Sequence, residues 1–398
     1  MKTRCADLAV FGSPPEFGEP LHVGRPNIGN RDRLHERFNR ILDHRWLTNN
    51  GPFVRDFEAR VADIAGVRHC VAMCNGTVAL EIAIRALDML GEVIVPSFTF
   101  VATVHALHWQ AVTPVFCDVD PVTHSLDPDS VEALITPRTT GIIGVHVWGH
   151  ACRVERLAEI ARRRHLRLLF DAAHAFGCAS GGTRIGNFGD AEVFSFHATK
   201  FVNTAEGGAV VTNNDALAEK IRLMRNFGFS GAYDQVDYAG TNGKMNEFSA
   251  ALGLTSLESM ADFVTACRRN YGIYRTELGG LPGLRMISHD SCETCNCQYV
   301  VFEVDEAEFG LTRDQLIAVL HAENVLARRY FYPGCHRMQP YCTLFPDAGL
   351  RLPVTERLCR RVIVLPSGTA VDKGAIERVC GVIRLAAKNA DEIRRKLA

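Results

Sequence analysis

Hydrophobic and polar positions along the first two thirds of the chain predict strands and helices in alternation. Short apolar runs are separated by longer stretches in which apolar residues recur with helical spacing. The predicted strands cover residues 70–73, 92–95, 115–118, 141–145, 166–170 and 208–212. Strands that alternate with helices form a mostly parallel sheet covered on both faces, and its ligands bind beyond the carboxyl ends of the strands. The pattern therefore predicts an α/β fold with a ligand site along that edge.

Beyond residue 262 the strands become sparser, which indicates a second unit. The chain has 398 residues, more than the roughly 250–300 over which a single core usually grows. We expect an N-terminal arm over residues 1–30, a large ligand-binding domain over 31–262 and a smaller C-terminal α/β domain over 263–398.

Composition excludes several classes of partner. Apolar residues make up 47% of the chain, charged residues 22%, and the net charge is -1, so no basic surface is expected for nucleic acid or an anionic membrane. No apolar run approaches the roughly 18 residues of a membrane span, and the opening residues carry Pro14, Pro15 and Glu16 in place of an apolar signal core. We expect a cytoplasmic protein.

The fourteen cysteines are scattered through the chain and do not resemble a disulfide framework. Cys292, Cys295 and Cys297 are close together, but a Cys₄ site needs a fourth ligand that this stretch does not supply. We expect buried free thiols and no metal; a redox or metal role for these three residues remains the alternative.

One lysine ends an apolar, β-favouring run. Lys200 closes the stretch 193–200 and is followed by small and polar residues, as where a strand gives way to a turn. A solvated surface charge is the default for any lysine. If the amine instead lies in a cleft away from water, desolvation lowers its pKa and makes it a nucleophile and proton carrier.

Other residues predicted at the same edge suit one cofactor, pyridoxal phosphate. Asp171 follows a buried strand and could hold a protonated pyridine nitrogen, or cap a helix. Gly76 and Thr77 lie between a strand and a helix, where backbone amides bind phosphate, although many such turns bind nothing. Phe100 could stack on the ring. Lys200 would then be the covalent attachment point.

Alternation along the strand before Lys200 puts Ser195 and His197 on one face, and Phe194 and Phe196 on the other. The serine hydroxyl could donate to a cofactor phosphate, or be satisfied within the core. His146 and Trp148 lie at a strand end. They could line the substrate cleft or serve only in packing.

Taken together, these motifs resemble the DegT/DnrJ/StrS-type sugar aminotransferases, which are fold-type I pyridoxal-phosphate enzymes. The resemblance covers nearly all of the chain, and its specificity comes from the ordered series of motifs. The matching stretches are residues 48–52, 75–77, 96–103, 171–174, 195–200, 206–208, 225–228 and 240–242.

The resemblance implies a role for each matching residue. Lys200 would hold the cofactor covalently, Asp171 would pair with the ring nitrogen and Phe100 would stack on the ring. The phosphate would be held by Gly76, Thr77, Ser195 and, from the neighbouring subunit, Asn242. Residue Asn242 thus implies a homodimer with shared active sites.

The sequence departs from the family pattern at His174, where many members have Gln in contact with the ring hydroxyl. Histidine could donate the same hydrogen bond, with a charge that we expect to depend on pH.

The sequences of residues 197–200 and 365–370 resemble those of the family branch that aminates carbon 4 of a nucleotide-linked 4-keto-6-deoxyhexose. The expected reaction moves an amino group from L-glutamate to dTDP-4-keto-6-deoxyglucose and gives dTDP-4-amino-4,6-dideoxyglucose. A 3-aminotransferase and a non-enzymatic ligand-sensing member remain alternatives. A related sugar dehydratase would lack the covalent lysine, which is present here as Lys200.

Overall fold

The computed structural model describes residues 2–231, 234–288 and 294–398. The strands are β1 (Leu21–His22), β2 (His69–Met73), β3 (Glu92–Pro96), β4 (Thr113–Cys117), β5 (Thr139–Val145), β6 (Arg167–Asp171), β7 (Ala179–Ser180), β8 (Thr183–Arg184), β9 (Ala191–Ser195), β10 (Gly208–Thr212), β11 (Leu284–Met286), β12 (Val300–Val304), β13 (Val325–Leu326) and β14 (Val362–Leu365).

The helices follow the same alternation. They are α1 (Arg31–His44), α2 (Pro52–Ala65), α3 (Gly76–Ala86), α4 (Val101–Trp109), α5 (Pro128–Ala133), α6 (Val154–Arg164), α7 (Asp215–Arg225), α8 (Glu247–Glu258), α9 (Met260–Leu278), α10 (Glu306–Phe309), α11 (Arg313–Ala322), α12 (Tyr341–Leu344), α13 (Pro353–Arg361), α14 (Lys373–Lys388) and α15 (Ala390–Leu397).

The central sheet has the strand order β2-β10-β9-β6-β5-β3-β4. Its strands run parallel apart from β10, which is antiparallel to both of its neighbours. The strands β6 and β9 are adjacent and parallel, so Asp171 and Ser195, the last residues of these strands, lie at the same edge. The predicted α/β fold and ligand-binding edge are therefore present.

Side-chain alternation divides the strands between two cores. Phe194 and Phe196 pack with α2 and α8 on one face, and Val193 packs with α3 and α7 on the other. Ser195 projects on the Val193 side, beside α3. Burial of a phenylalanine contributes about 1.5–3 kcal/mol, so a shift in strand register that exposed both rings would be strongly unfavourable.

The C-terminal part forms its own core on the antiparallel sheet β11-β12-β14. Leu8 and Phe17 from the N-terminal segment belong to this core, and β1 pairs with β13. Glu323 accepts hydrogen bonds from the Ala9 and Glu16 amides and so fixes the segment. The helix α9 runs without interruption through the predicted boundary at residue 262, and the domain limits stay a prediction.

Within the described ranges, no helix has the length and apolarity needed to cross a membrane.

Candidate active site

A cavity of about 310 Å³ lies at the carboxyl edge of the central sheet. The C-terminal part of the chain supplies Tyr299, Tyr330 and Phe331 to its wall. Of the residues predicted from sequence, those that line the cavity are Gly76, Thr77, Phe100, Asp171, His174, Ser195 and Lys200. Residues more than 120 positions apart in sequence thus meet at one site.

Asp171 is fixed by two neighbours, and each of its carboxylate oxygens can accept a further hydrogen bond. Its Oδ2 accepts from Thr103 Oγ1 at 2.8 Å, and its Oδ1 accepts from the Ala173 amide at 3.1 Å. Burial raises the pKa of Asp171, while these two bonds and the charge of Lys200 oppose the rise. A buried carboxylate that faces a cavity has a strong preference for a cationic partner, such as a protonated pyridine nitrogen.

Lys200 lies in the turn after β9. Its Nζ donates to the hydroxyl of Tyr299 at 3.2 Å. Desolvation lowers the pKa of Lys200 to about 8, although the charges of Asp171 and Tyr330 oppose the shift. The amine is therefore much closer to losing its proton near neutral pH than a surface lysine is, as a nucleophile or proton carrier requires.

The turn that begins α3 has groups that could hold a phosphate. The Asn75 side chain caps the helix by accepting from the Val78 amide at 2.8 Å, and the first amides of a helix, here those of Gly76 and Thr77, have no partner within the helix. A Cβ at Gly76 would lie 3.3 Å from Ser195 Cβ, which is tight, so glycine lets the turn approach the serine. Backbone amides, a hydroxyl and a helix N-terminus together fit a phosphate.

His174 and Phe100 both line the cavity. Phe100 ends the loop before α4 and is 59% exposed although it lines the cavity. The amide of Trp148 donates to His174 Nδ1 at 3.3 Å, which leaves the proton on Nε2. Burial lowers the pKa of His174 well below its ordinary value. The expected pH-dependent charge was therefore wrong: burial holds this histidine neutral, as a hydrogen-bond donor.

Sequence reasoning missed the aromatic residues of the opposite wall. Tyr299 packs on His174 with ring centroids 4.3 Å apart, and Phe331 stacks on Trp148 at 5.2 Å. Burial raises the pKa of Tyr299, so the residue stays a neutral hydroxyl beside Lys200. These residues carry no local motif, and only the packing of the C-terminal part on the sheet brings them to the lysine.

Some predicted residues lie elsewhere. Asn242 is exposed, pairs with Asn226, and is not among the described residues that line the cavity. His146 is buried against Glu192, 3.1 Å from Nε2 to Oε2. Trp148 packs behind His174 and Phe331. The interpretation of His146 and Trp148 as packing residues is therefore the better one.

The cysteine stretch shows no metal geometry where it is described. Cys295 and Cys297 are buried, and Cys292 lies outside the described residues. Over residues 2–231, 234–288 and 294–398, no group of three or more His, Cys, Asp or Glu residues is placed to hold a metal ion.

Comparison with known proteins identifies the family. The sequence profile of the DegT/DnrJ/EryC1/StrS aminotransferase family matches residues 29–384. The chain belongs to this family. Membership confirms the predicted aminotransferase activity, the pyridoxal 5′-phosphate cofactor and the α/β fold with its mostly parallel sheet.

Two similar curated relatives of this aminotransferase are the dTDP-4-amino-4,6-dideoxy-D-glucose transaminase of Shigella dysenteriae and the GDP-perosamine synthase of Caulobacter vibrioides. The first is 35% identical over 366 residues, 92% of this chain and 99% of the relative. The second is 35% identical over 367 residues, 91% and 97%. Among solved structures, DesI in the presence of its TDP-sugar product is 50% identical, with a TM-score of 0.93 over 98% of this chain and 99% of DesI.

Proposed function

We propose that this aminotransferase moves the amino group of L-glutamate to carbon 4 of dTDP-4-keto-6-deoxyglucose and gives dTDP-4-amino-4,6-dideoxyglucose. The observation that carries the proposal is the meeting of Lys200 and Asp171 in one cavity, beside groups that could hold a phosphate. The choice of sugar is supported by the name of the Shigella relative, and the dTDP linkage also by the TDP-sugar product of DesI. The enzyme would act in the synthesis of a deoxyaminosugar.

In this proposal each side chain has one task toward the cofactor. When bound, pyridoxal 5′-phosphate supplies a pyridine ring that accepts electrons from the reacting carbon and returns them. Gly76, Thr77 and Ser195 would bind the phosphate, and Asp171 would hold the proton on the ring nitrogen. The Nε2–H of His174 would donate to the ring hydroxyl, and Phe100 would stack on the ring.

Lys200 is the covalent attachment point and the proton carrier. With an amino donor in the site, the free Nζ would take the proton from the donor α-carbon and hold it in the cavity. With the keto sugar in the site, the same amine would deliver a proton to carbon 4 of the sugar. A pKa of about 8 suits both directions near neutral pH.

A homodimer with shared active sites is part of the proposal. Asn242 is exposed and outside the cavity of its own chain, which supports a role at the phosphate of a neighbouring subunit. A cytoplasmic location stays a prediction from the sequence.

The test is a product analysis. The purified protein with pyridoxal 5′-phosphate is incubated with L-glutamate and, separately, with dTDP-linked 4-keto and 3-keto 6-deoxysugars. Mass spectrometry detects an amino sugar, and NMR locates its amine. The proposal expects amine at carbon 4 and one 2-oxoglutarate for each amino sugar. Amine formed only at carbon 3 would establish the 3-aminotransferase alternative, and no product with any sugar would favour a ligand-sensing role.

A further inference from the structure

A second, smaller cavity of about 20 Å³ lies against the reactive lysine. It shares Thr199, Lys200 and Tyr299 with the main cavity, and Arg25 and Ser367 are among its other lining residues. A water molecule needs roughly 10–15 Å³ by this kind of measure. The space therefore suits one small polar group and is too small for a sugar or a nucleotide.

The hydroxyl of Ser367 lacks a partner in this cavity. The residue is 5% exposed, and its Oγ makes no hydrogen bond within the part of the chain that the structure describes. Buried hydroxyl groups are normally satisfied, because an unpaired one costs free energy. An oxygen atom of a ligand in the small cavity would supply the missing bond.

The charge at the small cavity favours an anion. Arg25 is exposed, and its guanidinium makes no ion pair or hydrogen bond with any described residue. It is also the one arginine among the described residues that line either cavity, and no described acidic residue lines the smaller one. An arginine and a serine with an unpaired hydroxyl line this cavity together, with no described carboxylate beside them, and such a pair is suited to an oxyanion.

The walls of the small cavity are tied together by Asn27. Its Oδ1 accepts from the Thr369 amide at 3.1 Å, and its Nδ2 donates to the Phe201 carbonyl at 3.0 Å. Gly24 has a φ of +73°, and a Cβ there would lie 3.0 Å from Thr199 Cβ. Glycine thus lets the N-terminal segment pass close to the lysine turn. The segment that carries Arg25 is fixed beside Lys200 before any ligand binds.

We propose that Arg25 and Ser367 bind the α-carboxylate of the amino donor. The proposal rests on the function proposed above and names the donor subsite of the same active site. The α-carboxylate is bonded directly to the carbon from which Lys200 takes a proton, so it must lie beside that lysine. The other anion in the reaction, the sugar diphosphate, is attached to carbon 1, across the ring from the reacting carbon 4, and exceeds the cavity in size.

The experiment measures the two half-reactions separately. Glutamate is added to the enzyme that carries pyridoxal 5′-phosphate, and the loss of its visible absorption is followed. The keto sugar is then added to the aminated enzyme, and the return of absorption is followed. The variants are Arg25→Gln, Arg25→Lys and Ser367→Ala, with Arg31→Gln as the matched control, because Arg31 is exposed, begins α1 a short distance along the chain from Arg25 and lines neither cavity.

The expected result is specific to the donor. Arg25→Gln raises the KM for glutamate by about 10- to 100-fold, as for loss of a hydrogen bond to a charged group, and Ser367→Ala raises it by about 2- to 12-fold. Arg25→Lys recovers part of the loss. The KM for the sugar is unchanged, and Arg31→Gln behaves as wild type. In calorimetry, the unreactive dicarboxylate glutarate binds more weakly to Arg25→Gln by a similar factor.

Three results would overturn the assignment: an unchanged KM for glutamate, an equal rise for both substrates, or a rise for the sugar alone, which would place Arg25 at the diphosphate. Unchanged glutarate binding would also contradict it. If wild-type enzyme loses its absorption with glutamate but aminates none of the sugars, the proposed acceptor is wrong, and the donor half-reaction still decides the role of Arg25.

Discussion

The cavity has two walls of different origin. The sheet wall consists of Gly76, Thr77, Phe100, Asp171 and Ser195, which lie at strand ends and helix starts of the central sheet. The C-terminal wall consists of Tyr299, Tyr330 and Phe331. Backbone geometry and short hydrogen bonds fix the sheet wall, whereas ring packing places the C-terminal wall. The sheet wall therefore carries the residues proposed to contact the cofactor, and the C-terminal wall shapes the surroundings of Lys200.

Lys200, which lies between the two walls, should give the largest effect. Lys200→Ala removes the covalent attachment point and the proton carrier, so we expect activity to fall by about 10²–10⁴-fold or more and the visible band of the bound cofactor to be lost. Lys220→Ala is the matched control, because Lys220 pairs with Asp88 on the surface. Steady-state kinetics and absorbance check both variants. Full turnover in Lys200→Ala would contradict the assignment.

The sheet wall is tested most sharply at Asp171. Asp171→Asn keeps the shape and removes the charge that holds the ring proton, so kcat should fall by about 100-fold or more. A thermal melt should accompany the measurement of kcat. Thr103 and the Ala173 amide donate to different oxygens of Asp171, and asparagine has only one side-chain oxygen. Asp215→Asn, on the surface, is the control. Equal kcat in both variants would remove Asp171 from the chemistry.

The pH at which the lysine becomes reactive should follow its environment. Only the neutral amine attacks the cofactor, and desolvation lowers the pKa of Lys200 to about 8. The rate at which cofactor-free protein binds pyridoxal 5′-phosphate should therefore rise about tenfold per pH unit below 8 and level off above it. Stopped-flow absorbance gives this profile. A rise that continues toward pH 10 would show an ordinary, solvated lysine.

The C-terminal wall should give smaller effects. Tyr299→Phe removes the hydroxyl 3.2 Å from Lys200 Nζ, and loss of one neutral hydrogen bond corresponds to about 2- to 12-fold in kcat. Tyr330→Phe is the comparison, because Tyr330 lines the same cavity without a hydrogen bond to Lys200 among the described residues. A loss of kcat in Tyr299→Phe as large as that in Asp171→Asn would show that the C-terminal wall contributes as much to the reaction as the sheet wall.

His174→Gln should have the smallest effect, since glutamine can also donate to the ring hydroxyl. We expect kcat within about 10-fold of wild type. The low pKa of buried His174 keeps it uncharged, so wild type and His174→Gln should have pH profiles of the same shape between pH 6 and about 8. A limb of the wild-type profile that disappears in the variant would show that the histidine titrates there after all.

The sheet wall could be predicted from sequence because its residues lie at the ends of apolar strands or at the helix starts that follow them. Asp171 comes directly after 168–170, and Gly76 opens a helix after a strand, so local pattern fixes their place at the ligand edge. Tyr299 and Phe331 could not be predicted, because only the docking of one core on another brings them to Lys200. The neutral state of His174 likewise depends on burial by Trp148 and Phe331, which lie far apart in sequence.

Chemical mapping of the cofactor attachment point tests the central claim most directly. The protein is saturated with pyridoxal 5′-phosphate, reduced with borohydride to fix the cofactor on its lysine, digested and sequenced by mass spectrometry. The account predicts one modified peptide, with the added mass on Lys200, and no label after the same treatment of Lys200→Ala. Label on another lysine such as Lys244, or a wild-type protein that carries none, would contradict it.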